Sequence, residues 1–179
     1  MQELLLSNVA VHISTMSRVE FDIIVSSLTL KRPRRDVNGF NLLVQESTME
    51  LPQNEGASYI VAFVGNNPIG FLQFRGNLQG SASAGRTVVP YTVIDALEVL
   101  PRYRRKGVAK ALLRVLEGSV RMGSVVVVAG SKSLNRKPNV VKLVSNMLGM
   151  NRVMTPSDFE QIDRSHLINI EGRSGDSKS

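Results

Sequence analysis

The sequence contains no cysteine and no tryptophan, and only two histidines, His12 and His166. Without cysteine there is no disulfide, no thiolate metal site and no cysteine nucleophile. Two histidines are too few for a zinc cage and argue against a histidine-based triad, so no metal is expected. Aromatic residues make up 5% of the chain, which leaves few platforms on which single-stranded nucleic acid could stack. No stretch approaches the eighteen or so apolar residues of a membrane span. The opening MQELLLSNVAVHIST lacks the basic start and continuous apolar core of a secretory signal. A cytoplasmic protein with no membrane partner is the expectation.

What remains is a chain of 179 residues, 42% hydrophobic, with a mean hydropathy of -0.01. That is enough for a sizeable core, and one domain over residues 1–172 is expected, followed by a flexible tail at 173–179. The formal charge is +7 and the isoelectric point about 10.1. Such an excess points to an anionic ligand or partner. The most concentrated cationic run, Lys31-Arg32-Pro33-Arg34-Arg35, reads either as a solvated loop between helices or as a nucleic-acid or localisation patch.

The stretch Leu97 to Glu117 organises the rest. Leu97-Glu98-Val99 ends a strand, and Pro101 stops it because proline cannot donate to a ladder. Arg102, Arg104, Arg105 and Lys106 follow, then Gly107. Beyond the glycine the period changes: Val108, Leu112, Val115 and Leu116, with Ala109 and Leu113 beside them, recur at helical spacing. A strand, a basic turn bearing glycine and a helix together aim a helix N-terminus at an anion. The first helical turn has unbonded N–H groups and a partial positive charge, and glycine puts no side chain in a ligand's way. The residues read as a phosphate or pyrophosphate site; the alternative is an ordinary βα turn carrying solvated charge.

Along the chain, Val9 to Ile13 reads as a strand. A helix follows from about Ser17, its N-cap, with Val19, Ile23, Ile24 and Leu28 as its apolar face. A second helix is expected over Phe40 to Met49. Ser58–Val64 and Ile69–Phe74 flank Gly65-Asn66-Asn67-Pro68 as a hairpin. Gly76 to Gly85, GNLQGSASAG, has no apolar period and reads as a loop. Val88 to Val99 is a strand, and the apolar run Val125–Val128 reads as one buried on both faces. Asn139–Leu148 reads as a helix capped by Gly149, with short strands near Arg152–Met154 and His166–Ile170.

Arg104-x-x-Gly107-x-Ala109, preceded by Val99-x-Pro101 and followed by Leu112-Leu113, resembles the acyl-CoA signature R/Q-x-x-G-x-G/A of the GNAT N-acetyltransferase superfamily. The order of elements extends the resemblance over nearly the whole chain. It implies an α/β (α+β) fold: a mixed, largely antiparallel sheet with helices on both faces. The sheet would split between strands 4 and 5, the ones ending near Val99 and spanning Val125–Val128.

The resemblance also implies a function, an N-acyltransferase moving an acetyl group from acetyl-CoA to a primary amine by direct attack. The acceptor would be a small molecule or a peptide, and the protein a monomer or homodimer. In that reading the amides of Arg105, Lys106, Gly107, Val108, Ala109 and Lys110 face the pyrophosphate beside Arg104, while Leu97 and Val99 hold pantetheine through their backbone. The base would be Glu98 first and Asp95 second. Three positions apart on a strand, they are expected on opposite faces. The family's leaving-group tyrosine position holds Ser145, four residues before Gly149-Met150, a departure from the pattern, since serine is a poor acid for a thiolate. The alternative reading is a degenerate binding module of this fold whose basic surface contacts protein or nucleic acid.

Overall fold

The computed structural model describes residues 2–6, 9–30, 35–48, 56–81, 88–120, 125–128, 138–149 and 153–154. Seven strands form one sheet in chain order: β1 (Gln2–Leu6), β2 (Val9–Ser17), β3 (Ser58–Val64), β4 (Asn67–Ser81), β5 (Val88–Val99), β6 (Val125–Val128) and β7 (Val153–Met154). The first five are antiparallel neighbours, and β5–β6 and β6–β7 pair parallel. Among the described residues four helices join them: α1 (Arg18–Leu30), α2 (Arg35–Thr48), α3 (Val108–Ser119) and α4 (Pro138–Leu148).

Several boundaries differ from the sequence reading. β1 is an additional strand, so the expected strands 4 and 5 are β5 and β6. β2 runs on to Ser17, paired residue for residue with β3. α2 starts at Arg35, five positions earlier than expected, which makes the end of the basic run helical; Lys31 to Arg34 lie outside the described residues. Gly76 to Ser81 is strand, not loop, because Leu78 to Ser81 pair with Tyr91 to Val88. Backbone pairing needs no apolar period, so periodicity could not reveal this extension. Positions 82–85 and the strand expected at His166–Ile170 lie outside the described residues.

The apolar face expected for α1 is only half right. Leu28 is buried, but Val19 is 68% and Ile23 62% exposed, and Phe21 takes their place at 1%. Phe21 lies flat on Tyr59, ring centroids 4.0 Å apart, and meets Phe40 of α2 and Phe71 of β4 at 6.4 and 5.4 Å. One large ring in an aromatic cluster outweighs two β-branched residues a turn away. At the entrance to α1, Ser17 and Glu20 form a capping box: Ser17 N–H and Oγ–H both donate to Glu20 Oε2, at 2.7 and 2.8 Å. These bonds hold the Glu20 carboxyl below its usual pKa.

The aromatic contacts define the two faces. Tyr59, Phe71, Gln73 and Arg75 alternate onto the side covered by α1 and α2. Gly70 and Leu72, with their partners Val99 and Leu97, belong to the side of α3 and α4. The register of β4 against β5 slips between Gln73 and Phe74. Gln73 pairs with Ala96, Phe74 pairs with Ile94, and Asp95 is left as the extra residue of a bulge. At the same place lies the last β5–β6 pair among the described residues, Ile94 with Val128. Among the described residues, Asp95 to Val99 are therefore held by β4 on one edge only. The split is expected at this point.

Candidate active site

Leu100 N–H donates to Ile69 O at 2.9 Å, tying the end of β5 to β4. A tight 3-10 turn, Pro101–Tyr103, follows, closed by Tyr103 N–H to Leu100 O at 2.8 Å. The chain then takes two left-handed steps, Arg105 at φ 60° and Gly107 at φ 86°. Gly107 makes the second without penalty, whereas Arg105 makes the first against steric resistance. The first backbone bond of α3 runs from Ala111 N–H to Gly107 O at 3.0 Å. The amides of Val108, Ala109 and Lys110 precede it and have no intrahelical acceptor.

These amides open onto a cavity of about 360 Å³. Val99, Arg104, Arg105, Gly107, Val108, Ala109 and Lys110 line it, so every expected cofactor residue is brought together except Leu97 and Lys106. Leu97 is buried opposite Leu72. Lys106 lies with its Nζ 5.7 Å from the centre of the Tyr103 ring, which Arg102 also covers at 4.6 Å. Tyr103 completes the wall. Leu143 of α4 does so too, and sequence reasoning missed it. Its only signal was its place on the apolar side of a helix, which does not distinguish a cavity wall from core. Among the described residues, no carboxylate lines the cavity.

The two carboxylates are not on opposite faces. Glu98 pairs with Phe71 and so points to the α1/α2 side, and the bulge turns Asp95 to that side as well. There Asp95, 1% exposed, accepts two hydrogen bonds from Arg75: Nε to Oδ2 at 2.9 Å and Nη2 to Oδ1 at 2.8 Å. This pairing raises the guanidinium pKa of Arg75 further. Glu98, 4% exposed, has Arg104 Nη2 4.0 Å from Oε2. The nearer contact of Arg104 is its Nε, which donates to Val99 O at 2.9 Å and braces the strand end against the turn. Asp95 thus has both oxygens engaged in an ion pair, and Glu98 is the carboxylate placed at the start of the turn.

Ser145 is not brought into the cavity. It lies two residues after Leu143, about 200° around the helix at 100° per residue, and is not among the lining residues. Its carbonyl accepts the Gly149 N–H at 3.0 Å, and Gly149 at φ 90° is the expected C-cap.

The description "Acetyltransferase (GNAT) family" belongs to the family model that matches residues 31–125, a span covering both hairpin strands, the split and the glycine turn. The chain belongs to the GNAT family. Its mixed, largely antiparallel sheet, flanked by helices and parted between β5 and β6, is the GNAT fold. No curated protein is similar enough to count as a match. Among solved structures, it is similar to a ribosomal-protein-alanine N-acetyltransferase from Brucella melitensis biovar Abortus 2308, at 21% identity over 75% of this chain and 89% of that one, TM-score 0.44. It is also similar to an acetyltransferase from Vibrio fischeri, at 20% identity over 64% and 93%, TM-score 0.41. A third is the aminoglycoside 6'-N-acetyltransferase AAC(6')-Ih from Acinetobacter baumannii, at 18% identity over 78% and 89%, TM-score 0.40. No helix among the described residues of this GNAT protein is long and apolar enough to cross a membrane.

Proposed function

We propose that this protein transfers an acetyl group from acetyl-CoA to a primary amine by direct attack, with Glu98 as the base. The observation that carries the reading is the meeting of two features at the end of β5. On the α3/α4 side lie the unbonded amides of a helix start, rimmed by Arg104, Arg105 and Lys110. On the α1/α2 side lies the buried carboxylate of Glu98, next along β5 to Val99 of the cavity wall.

The donor set fits a diphosphate: amide N–H groups at the helix start and cations at the rim. Arg105 in a left-handed conformation adds weight, since such strain gathers at ligand-binding turns. Val99, Val108 and Leu143 supply an apolar wall for the arm that carries the thioester. When bound, acetyl-CoA supplies an acyl carbon activated by a good leaving group. The backbone of Asp95 to Leu97, past the last described β5–β6 pair, can take hydrogen bonds from an extended arm as a sheet edge does. Glu98 accepts the proton that the amine loses as the new N–C bond forms and the C–S bond breaks, and the thiolate leaves with the bonding electrons and is protonated from solvent. Ser145 has no part in this scheme, consistent with its position around α4.

That position also favours a second reading, binding of acetyl-CoA without turnover. The two separate in one experiment. Acetyl-CoA is titrated calorimetrically into wild type and Gly107→Glu, and thiol release is followed with a panel of amines. Binding lost in the variant, together with amine-dependent thiol release by wild type, supports the transferase; binding without release supports the binding module. Equal affinity in both proteins would remove the cofactor site.

A further inference from the structure

Four polar or charged side chains are buried among the described residues: Gln73, Thr92, Asp95 and Glu98. All lie on β4 and β5, and the ladder puts Gln73, Asp95 and Glu98 on the α1/α2 side. Asp95 is matched by Arg75. Gln73, 4% exposed, presents an enclosed Oε1 that accepts no hydrogen bond. A buried carbonyl oxygen of this kind is disfavoured by the full loss of its hydration, and native proteins retain few of them. Nothing in the packing of the sheet requires an amide here, because its cross-strand partners are Tyr59 and Ala96.

We propose that Gln73 is a substrate-binding residue whose Oε1 accepts one N–H of the acceptor amine, and that it makes the site selective for primary amines. The inference rests on the transferase reading above and names a further residue for it. Gln73 and Glu98 are diagonal neighbours across β4 and β5, since Gln73 pairs with Ala96 and Phe71 with Glu98. Diagonal Cβ atoms lie roughly 7–8 Å apart, a gap that two leaning side chains and one bridging nitrogen span with bonds of about 2.9 Å each. A neutral primary amine has two N–H groups, one for Gln73 and one for Glu98, so both oxygens fix it and its lone pair is turned away from them. A secondary amine has one N–H and leaves one oxygen unserved.

The test uses methylammonium chloride as the probe and tetramethylammonium chloride, which has no N–H, as its control. The side-chain amide resonances of Gln73 are assigned in wild type by their loss in Gln73→Met. Methylammonium should shift them saturably, and tetramethylammonium at equal concentration should not. Gln73→Met should also melt about 2–4 °C higher, the size of shift expected when one modest penalty is removed from a chain of this length. An equal response to the two salts would overturn the proposal, as would a lower melting temperature in the variant, which would mark the amide as structural. Neither readout involves coenzyme A. Failure of the cofactor site therefore appears separately, as absent acetyl-CoA binding with the methylammonium shift intact.

Discussion

Arg75 and Asp95 hold each other through two hydrogen bonds of 2.9 and 2.8 Å although Asp95 has no cross-strand partner of its own. The ion pair is what the bulge in β5 is built around. Asp95 is the extra residue, and its carboxylate is turned to the side of the sheet where the guanidinium waits. The same extra residue changes the phase of the strand, so Glu98 reaches that side too.

Removing the cation should expose the dependence of the bulge on this pair. Arg75→Met leaves a carboxylate 1% exposed without its partner. Breaking a buried pair costs about 3–5 kcal/mol, and the lower end applies because Arg75 is itself part-exposed. Urea unfolding measures it, and Arg75→Met combined with Asp95→Asn should recover much of the loss. A single variant as stable as wild type would mean the bulge stands without the pair.

Gly70 pairs with Val99 across β4 and β5. A Cβ built there would lie 2.9 Å from Glu98 O and 3.2 Å from the Val99 side chain. Backbone cannot yield as a flexible side chain does, so Gly70→Ala should destabilise by roughly 1–3 kcal/mol. It should also weaken acetyl-CoA binding, because the displaced segment leads directly into the glycine turn. Denaturation and calorimetry on one preparation check both effects.

Glu98→Gln keeps shape and removes the proposed base. The rate of acetyl transfer should fall by about 10²–10⁴-fold, while affinity for acetyl-CoA stays within about twofold. Thiol release and calorimetry give the two numbers. An unchanged rate would eliminate Glu98 as the base.

Tyr59 supplies a pH dependence. Burial pushes its hydroxyl pKa up from the usual tyrosine value, with the nearby Arg18 charge acting the other way. A raised native pKa means that, above about pH 10, the unfolded chain has released a proton which the folded one keeps. The stability linked to this group is therefore complete below that pH and declines as pH rises through the native pKa. Tyr59→Phe retains the ring stacked on Phe21 and should lose less stability between pH 9 and 11 than wild type. Parallel curves from urea midpoints would assign the alkaline loss to other groups.

How far these features could be read from the chain depends on how local their causes are. The glycine turn was legible because everything that makes it lies within a dozen consecutive residues. The proline stop, the cations and the switch from strand to helix spacing all mark one corner. The Ser17 cap was equally local. Asp95 was not, because a bulge is a property of two strands: nothing within β5 shows that Gln73 and Phe74 will meet Ala96 and Ile94. The alternation rule therefore separated two carboxylates that the fold unites. The buried side of α1 failed for a similar reason, since Val19 and Phe21 are both apolar and only the aromatic partners from α2 and the sheet decide between them. Leu143 belongs with these cases. Its role is set by a turn some forty residues earlier.

Among the described residues, β5 is an interior strand where Tyr91 to Ile94 face β6 and a border strand from Asp95 on. Borders are where sheets recruit foreign chain, and proteins usually blunt them with charge or cover. Here Ala96 to Val99 are all at least nine-tenths enclosed, so another molecule's strand has no room to dock against them. The part of β5 that lies past its last described β6 pair is thus held in the interior of the protein and not on its rim.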